Sequence, residues 1–319
     1  MSARALDATG IRDPQLRSAF ETCRRLYTRH ARVSYLTSQL LPLNKRPYVW
    51  ALHGFARRAE DFAATLPVAD PQKVATWAET FLDGGGPDEV RAGPTTEPVA
   101  LALTHTLYRW GIPRAHVEAF TDSLRMDMVT SRYPAYVDLE RYAYGAASVV
   151  GLQLLPILEP LAPEAGARLR ALGEAFLLTD IIRGLGEDLR RDRIYLPMED
   201  LAAFGVTEQA LRAGAVTAPI REMLRFEVER TRRLITFGRP GIDMVHPTSR
   251  ECLNTSVALR EAALVAVEES HFQVLDRRVE VPVNRRMGLV LPALRRARAV
   301  RRAEERWVPV PREQSPARA

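Results

Sequence analysis

The chain has little that would cross-link it, anchor it or pair it into sheets. Among its 319 residues there are only two cysteines, Cys23 and Cys252. That excludes a disulfide framework, and both are read as reduced, inert thiols in the core. No run of 18 apolar residues occurs, which excludes a membrane-spanning helix. The opening stretch, MSARALDATGIRDPQLRSAF, has no apolar leader, so a cytoplasmic protein is expected. The six histidines form no metal-binding pair at helical spacing, and zinc is not expected. No alternating β-branched run is bounded by an Asn-Gly or Asp-Gly turn, so strands are not expected either. Lysine is nearly missing: beyond Lys45 and Lys73, arginine supplies every fixed cation.

The net charge of +6 is local. Residues 285–319 hold ten arginines against three glutamates, which leaves the rest of the chain close to neutral. No nucleic-acid partner is therefore expected. The arginine run 295–306 reads as a solvated helix face, with peripheral contact to anionic lipid as its second reading.

What the chain does have is helical periodicity. Apolar residues recur at helical spacing over 14–30, 45–65, 69–82, 97–111, 113–130, 137–158, 165–190, 207–214, 218–237, 247–271 and 285–303. Breaks fall at Pro42, Pro67, Gly84-Gly85-Gly86-Pro87, Gly111, Pro160, Pro163, Pro197 and Gly238-Arg239-Pro240-Gly241. Several of these helices exceed 20 residues, and apolar faces of that length pack inside a bundle. A single all-α domain over 1–306 is expected, followed by a disordered tail over 307–319.

The most informative stretch is EAFLLTDIIRGLGEDLRRDRIYLP, residues 174–197. Asp180 and Asp188 are eight residues apart, so they share a helix face at a separation of roughly 12 Å. Glu187 lies on the same face, and Arg183 and Arg190 follow. Carboxylates on an otherwise apolar helix are costly to bury unless something pairs them. Hard divalent cations bridging to phosphate would do so. Spacing alone equally admits a solvated face with ordinary salt bridges.

The string GEDLRRDRIYLPMEDLAAFGVT closely resembles the second aspartate-rich motif of the squalene and phytoene synthase family. YLTSQLLPLNKRPYVWALHGFARRAED (35–61) resembles the first motif region, RYPAYVDLERYAYGAASVVG (132–151) the central helix, and VLDRRVEVPVNRR (274–286) the C-terminal segment. The resemblance covers most of residues 15–298. It implies an all-α isoprenoid-synthase bundle with a central cavity and Mg²⁺-dependent ionisation of a prenyl diphosphate, with Mn²⁺ as a substitute metal.

The departures lie where the resemblance places the chemistry. An Asp-Asp-x-x-Asp motif is implied where this chain has Glu60, Asp61 and Ala64. Asn, Asp and Asp at four-residue steps are implied where it has Asp180, Gly184 and Asp188. A tyrosine is implied at His53 and a glutamine at Leu177, while Arg57, Tyr142, Ala147, Val150 and Arg278 match. Such losses resemble a divergent branch that prenylates aromatic acceptors, carbazoles among them.

On that reading the chain moves a dimethylallyl group from its diphosphate to an aromatic acceptor. Glu60, Asp61, Asp180, Glu187 and Asp188 hold the metal, and Arg32, Arg57, Arg183 and Arg278 grip the diphosphate. Asp180, His53 and Tyr142 act at the reacting centre, and Ser34, Ala64, Ala147, Val150, Leu177 and Gly184 line the acceptor pocket. Two other readings stay open: a head-to-head synthase joining two prenyl diphosphates, and a non-catalytic binding partner.

Overall fold

Prolines and capping side chains decide where the helices begin. Pro14 opens α2 (Pro14–His30) and the Asp13 carboxylate accepts the Leu16 N–H at 2.7 Å. Glu97 does the same for α6 (Pro98–Trp110), accepting the Ala100 N–H at 2.9 Å, and that helix stops at Gly111, whose φ of 59° an L-residue rarely adopts. The protein is seen as a computed structural model that describes residues 2–65, 70–82 and 97–306, without the side chains of Arg32 and of residues 80–82, 305 and 306. The expected tail over 307–319 lies outside the described residues.

The remaining helices are α1 (Ser2–Ala8), α3 (Arg32–Ser38), α4 (Arg46–Thr65), α5 (Pro71–Leu82), α7 (Arg114–Val129), α8 (Tyr136–Ala143), α9 (Val149–Leu158), α10 (Ala165–Arg190), α11 (Met198–Ala203), α12 (Glu208–Arg212), α13 (Ala218–Gly238), α14 (Pro247–Glu269) and α15 (Val283–Arg306). Among the described residues no strand forms, and only isolated bridges join Arg132 to Ile194 and Pro160 to Val245. The all-α expectation is met. The short helices α1, α3 and α11 were not legible in the periodicity, whereas the still shorter α12 falls within the expected stretch 207–214.

The expected helix over 137–158 is interrupted. Tyr144–Ser148 winds as a π-helical turn between α8 and α9. Gly145 sits in that turn, and a Cβ there would lie 2.2 Å from the Ala119 carbonyl oxygen of α7. The backbones approach too closely for any side chain.

Two apolar clusters build the interior. One gathers Phe20, Tyr27, Trp50, Phe55 and Phe120 from α2, α4 and α7. The other gathers Leu178, Ile182, Leu185, Leu224, Val228 and Leu264 from α10, α13 and α14. The 26-residue α10 packs against α9, the π turn, α13 and α14, and so runs through the middle of the molecule. No helix among the described residues is long and apolar enough to cross a membrane.

The arginines of α15 divide in two. Arg296 pairs with Glu251 at 3.0 Å, and Arg301 donates to the carbonyls of Leu40 and Leu41. Arg295, Arg298 and Arg302 are exposed, in line with Val283, Met287 and Leu291, which are exposed too.

Candidate active site

A cavity of about 320 Å³ opens between the two clusters. Its walls come from α2 to α4, the π turn, α9, α10 and α14, and most of the lining is apolar: Tyr27, Val49, Ala147, Val150, Leu154, Phe176 and Leu177 are typical. Its fixed charges are Glu60, Asp180 and Arg260, and the Asp180–Arg260 pair makes one end polar. A long apolar body with a charged end fits an amphiphile whose head is ionic and whose tail must be kept dry.

At that end, Asp180 is surrounded by guanidinia. Arg260 reaches it at 2.8 Å, Arg183 at 3.0 Å and Arg278 at 3.1 Å. Burial would raise its carboxyl, but the three arginines more than offset that and hold it below the ordinary range. Arg278 also reaches Glu187 at 3.1 Å, which fixes Asp180 and Glu187 on one face as the spacing implied. The space over Gly184 is filled: a Cβ there would lie 2.8 Å from Arg278 Nη1.

Beside this basic group lies an acidic one. Asp188 has no hydrogen bond or ion pair to its carboxylate among the described residues, and burial, with repulsion from Glu187 and Asp127, outweighs the pull of Arg278 and Arg191 and pushes its carboxyl up to about 6. Burial, with repulsion from Asp61 and Asp127, likewise outweighs Arg57 and raises Glu60. Arg57 holds Asp61 at 2.5 Å and Glu60 at 3.2 Å. Asp127, from the end of α7, therefore acts electrostatically on both aspartate-rich segments. It accepts from Tyr195 at 2.6 Å and from Arg193 at 3.0 Å. Sequence reasoning missed it, although it stands just before the quoted central-helix segment, on a helix whose neighbours Met126 and Met128 are apolar.

A family description, squalene/phytoene synthase, matches residues 27–285. The chain belongs to the squalene/phytoene synthase family. It is 33% identical over 310 residues to a phytoene synthase of Arthrospira platensis, covering 91% of this chain and 97% of that one. It is 32% identical over 295 residues to the 15-cis-phytoene synthase of a Synechocystis species, covering 86% and 83%. Among solved structures, a dehydrosqualene synthase superposes with a TM-score of 0.77 at 23% identity over 90% of this chain and 98% of its own. A squalene synthase from Alicyclobacillus acidocaldarius gives 0.73 at 26% identity over 83% and 98%. The fold is the isoprenoid-synthase bundle that the resemblance implied, and the family's members transfer prenyl groups.

These relatives overturn the aromatic-acceptor expectation, and with it the dimethylallyl donor and the carbazole-type branch. Chains named phytoene synthase match at 28–33% identity across most of this sequence, which favours condensation of two prenyl diphosphates. The structure gives the physical reason that the losses misled. Gly184 does not open room for a flat acceptor, because Arg278 occupies that room. Ala64 is exposed and stands off the cavity wall, whereas Ser34, Ala147, Val150 and Leu177 do line it.

Tyr142 is not on the cavity wall but stacks with Tyr195 and Tyr133 at centroid distances of 5.5 and 5.6 Å. Cys252 packs against the core and also lines the cavity, and burial pushes its thiol up to about 12, so it is unreactive as expected. Cys23 is in the core as expected. The side chain of Arg32 lies outside the described residues.

His53 lines the cavity and stacks on Tyr27, centroids 4.2 Å apart and planes 6° from parallel. Burial pushes its imidazole down to about 4, which makes it a weak base near neutrality and an aromatic wall instead. The unfolded chain protonates this ring near the ordinary value of 6.5. Stability is therefore whole above 6.5 and falls as pH drops toward 4, where the folded chain at last accepts the proton. Between pH 7 and 4.5, urea unfolding of the wild type should show a loss larger by about 2–3 kcal/mol than that of His53→Gln. Equal losses would mean that His53 takes up its proton in the folded protein as readily as in the unfolded chain.

Proposed function

We propose that the chain joins two prenyl diphosphates head to head, in a phytoene- or squalene-type condensation. The observation that carries this reading is the mostly apolar cavity whose wall includes Glu60, Asp180 and Arg260, in a chain whose relatives along nearly its whole length include phytoene synthases.

The acidic half of the polar end fits a divalent metal, Mg²⁺ being the expected one. Glu60 and Asp188 are raised by burial and by a third carboxylate, Asp127, and a hard cation would relieve that repulsion. No three His, Cys, Asp or Glu groups among the described residues are already gathered as a metal site. Asp180 does not fit, because its oxygens face three guanidinia. Asp61 and Glu187, also expected as ligands, pair with Arg57 and Arg278, just as Glu60 pairs with Arg57 and Asp127 with Arg193, so a cation would compete with an arginine at each. The metal set proposed here is drawn from Glu60, Asp61, Asp127, Glu187 and Asp188, of which Asp188 alone has no ion pair among the described residues. When bound, the cation would neutralise the diphosphate and improve it as a leaving group.

The protein's own residues do the rest. Arg183, Arg260 and Arg278 present N–H donors to the diphosphate oxygens, the geometry that suits phosphate. Phe176, which lies 5.2 Å beneath Arg260, Tyr27 and the neutral His53 ring present π-faces to the allylic cation. The apolar walls of α9 and α10 exclude water that would quench it. The exposed arginines of α15 are proposed as a contact with anionic lipid, on which an apolar product would be released.

The test is product identity. With Mg²⁺ and geranylgeranyl or farnesyl diphosphate as the sole organic substrate, mass spectrometry should find a hydrocarbon containing two joined prenyl chains. A product that forms only when another acceptor is added would reject the reading.

A further inference from the structure

The four-residue ladder of α10 places Asp180, Gly184 and Asp188 along one helix face. In the middle of it, a guanidinium stands where a side chain would project. A Cβ on Gly184 would lie 2.8 Å from Arg278 Nη1, 3.5 Å from its Cζ and 3.9 Å from Asp188 Oδ2. Arg278 thus sets a fixed positive charge between the two aspartates. Arg183 and Arg260 add two more on the other sides of Asp180.

We propose that Arg183, Arg260 and Arg278, gathered on Asp180, form a diphosphate-binding site that holds its anion without a metal ion. The inference rests on the diphosphate reading above and adds that, at this end of the cavity, guanidinium replaces metal. Three guanidinia carry fifteen N–H donors, and carboxylates within hydrogen-bond distance use four of them. The donors left over are enough for the several oxygens of a diphosphate. Glu280 approaches Arg183 and Arg278 only to 3.8 Å and is more than half exposed, so water screens it. Against Asp180 and Glu187, the two carboxylates within hydrogen-bond distance, the three arginines leave a surplus of one positive charge, the sign a diphosphate requires. Asp180 is a positioning residue here: its two oxygens draw three long side chains to one point, which lowers the entropy lost when the anion arrives. Asp180 and Arg260 both stand on the cavity wall, so the site opens to the tail-binding space.

The test is calorimetric binding of inorganic pyrophosphate to the whole protein, in EDTA and in Mg²⁺. Removing the metal should weaken binding by no more than about tenfold, because charge-assisted bonds from arginine remain. In EDTA, Arg278→Gln and Gly184→Asp should each weaken it by at least about tenfold, the second by driving Arg278 out with a carboxylate. Gly184→Ala, which displaces only the flexible tip of Arg278, should weaken it by less. Circular dichroism of each variant separates misfolding from lost contacts. A non-hydrolysable prenyl thiodiphosphate should bind more tightly than pyrophosphate if the site serves the substrate head, and equally if it takes free pyrophosphate. Binding in Mg²⁺ but none in EDTA would overturn this inference and leave the head-to-head reading standing. Binding in neither condition would sink both.

Discussion

Gly186→Ala should cost about 3 kcal/mol of stability, at the upper end of what overpacking a core does. A Cβ at this position would lie 1.9 Å from the Leu275 carbonyl oxygen and 2.8 Å from that of Val274. Both are backbone atoms, so no side chain can swing aside. The Gly186 N–H also donates to the Val274 carbonyl at 3.0 Å, tying α10 to the segment that carries Arg278. The added methyl must push that segment outward, and Arg278 with it. Urea unfolding should show the loss, and pyrophosphate binding should weaken in parallel. Gly288→Ala is the control: nothing lies within 4 Å of a Cβ there, on α15, so the change should be neutral or stabilise by about 0.5–1 kcal/mol through helix propensity. If both variants unfold alike, the close approach at Gly186 is not what holds the segment.

Asp188→Asn should lower kcat by about 10²–10³, the loss expected when one electrostatic contact to the reacting complex is removed. It should leave stability at pH 7 unchanged or higher. The half-buried carboxylate has no hydrogen bond or ion pair among the described residues, and the cost of desolvating it outweighs the pull of Arg278 and Arg191, so its charge strains the folded state. Opposite signs on activity and stability are what a residue kept for function should show. A variant that loses stability while turning over at the wild-type rate would make Asp188 a structural group.

The long helices were legible because their apolar faces repeat over many turns. Residues 14–30 and 165–190 were read to the residue, and both are bounded by proline or by a change of chain direction. The π turn was not legible, since one extra residue in a 22-residue apolar stretch leaves the composition unchanged. In the site, the pairing of Asp180 with Glu187 on one face followed from spacing. Its consequence did not, because Arg260 and Arg278 arrive from 80 and 98 residues away. Gly184 shows the limit most clearly. A sequence records that a side chain is missing, but only packing shows what has taken its place.

The π turn at Tyr144–Ser148 also sets a phase. It spends one residue more than an α-helical turn, so the two halves of the helix are offset by about 100° from continuous winding. Upstream, Tyr142 faces the tyrosine stack; late in the turn and downstream of it, Ala147, Val150 and Leu154 face the cavity. Neither face could keep its place if the turn wound regularly. Deleting a single residue here would not shorten a loop. It would rotate one wall of the cavity out of the cavity, and bring to the prenyl chain side chains that now face the neighbouring helices.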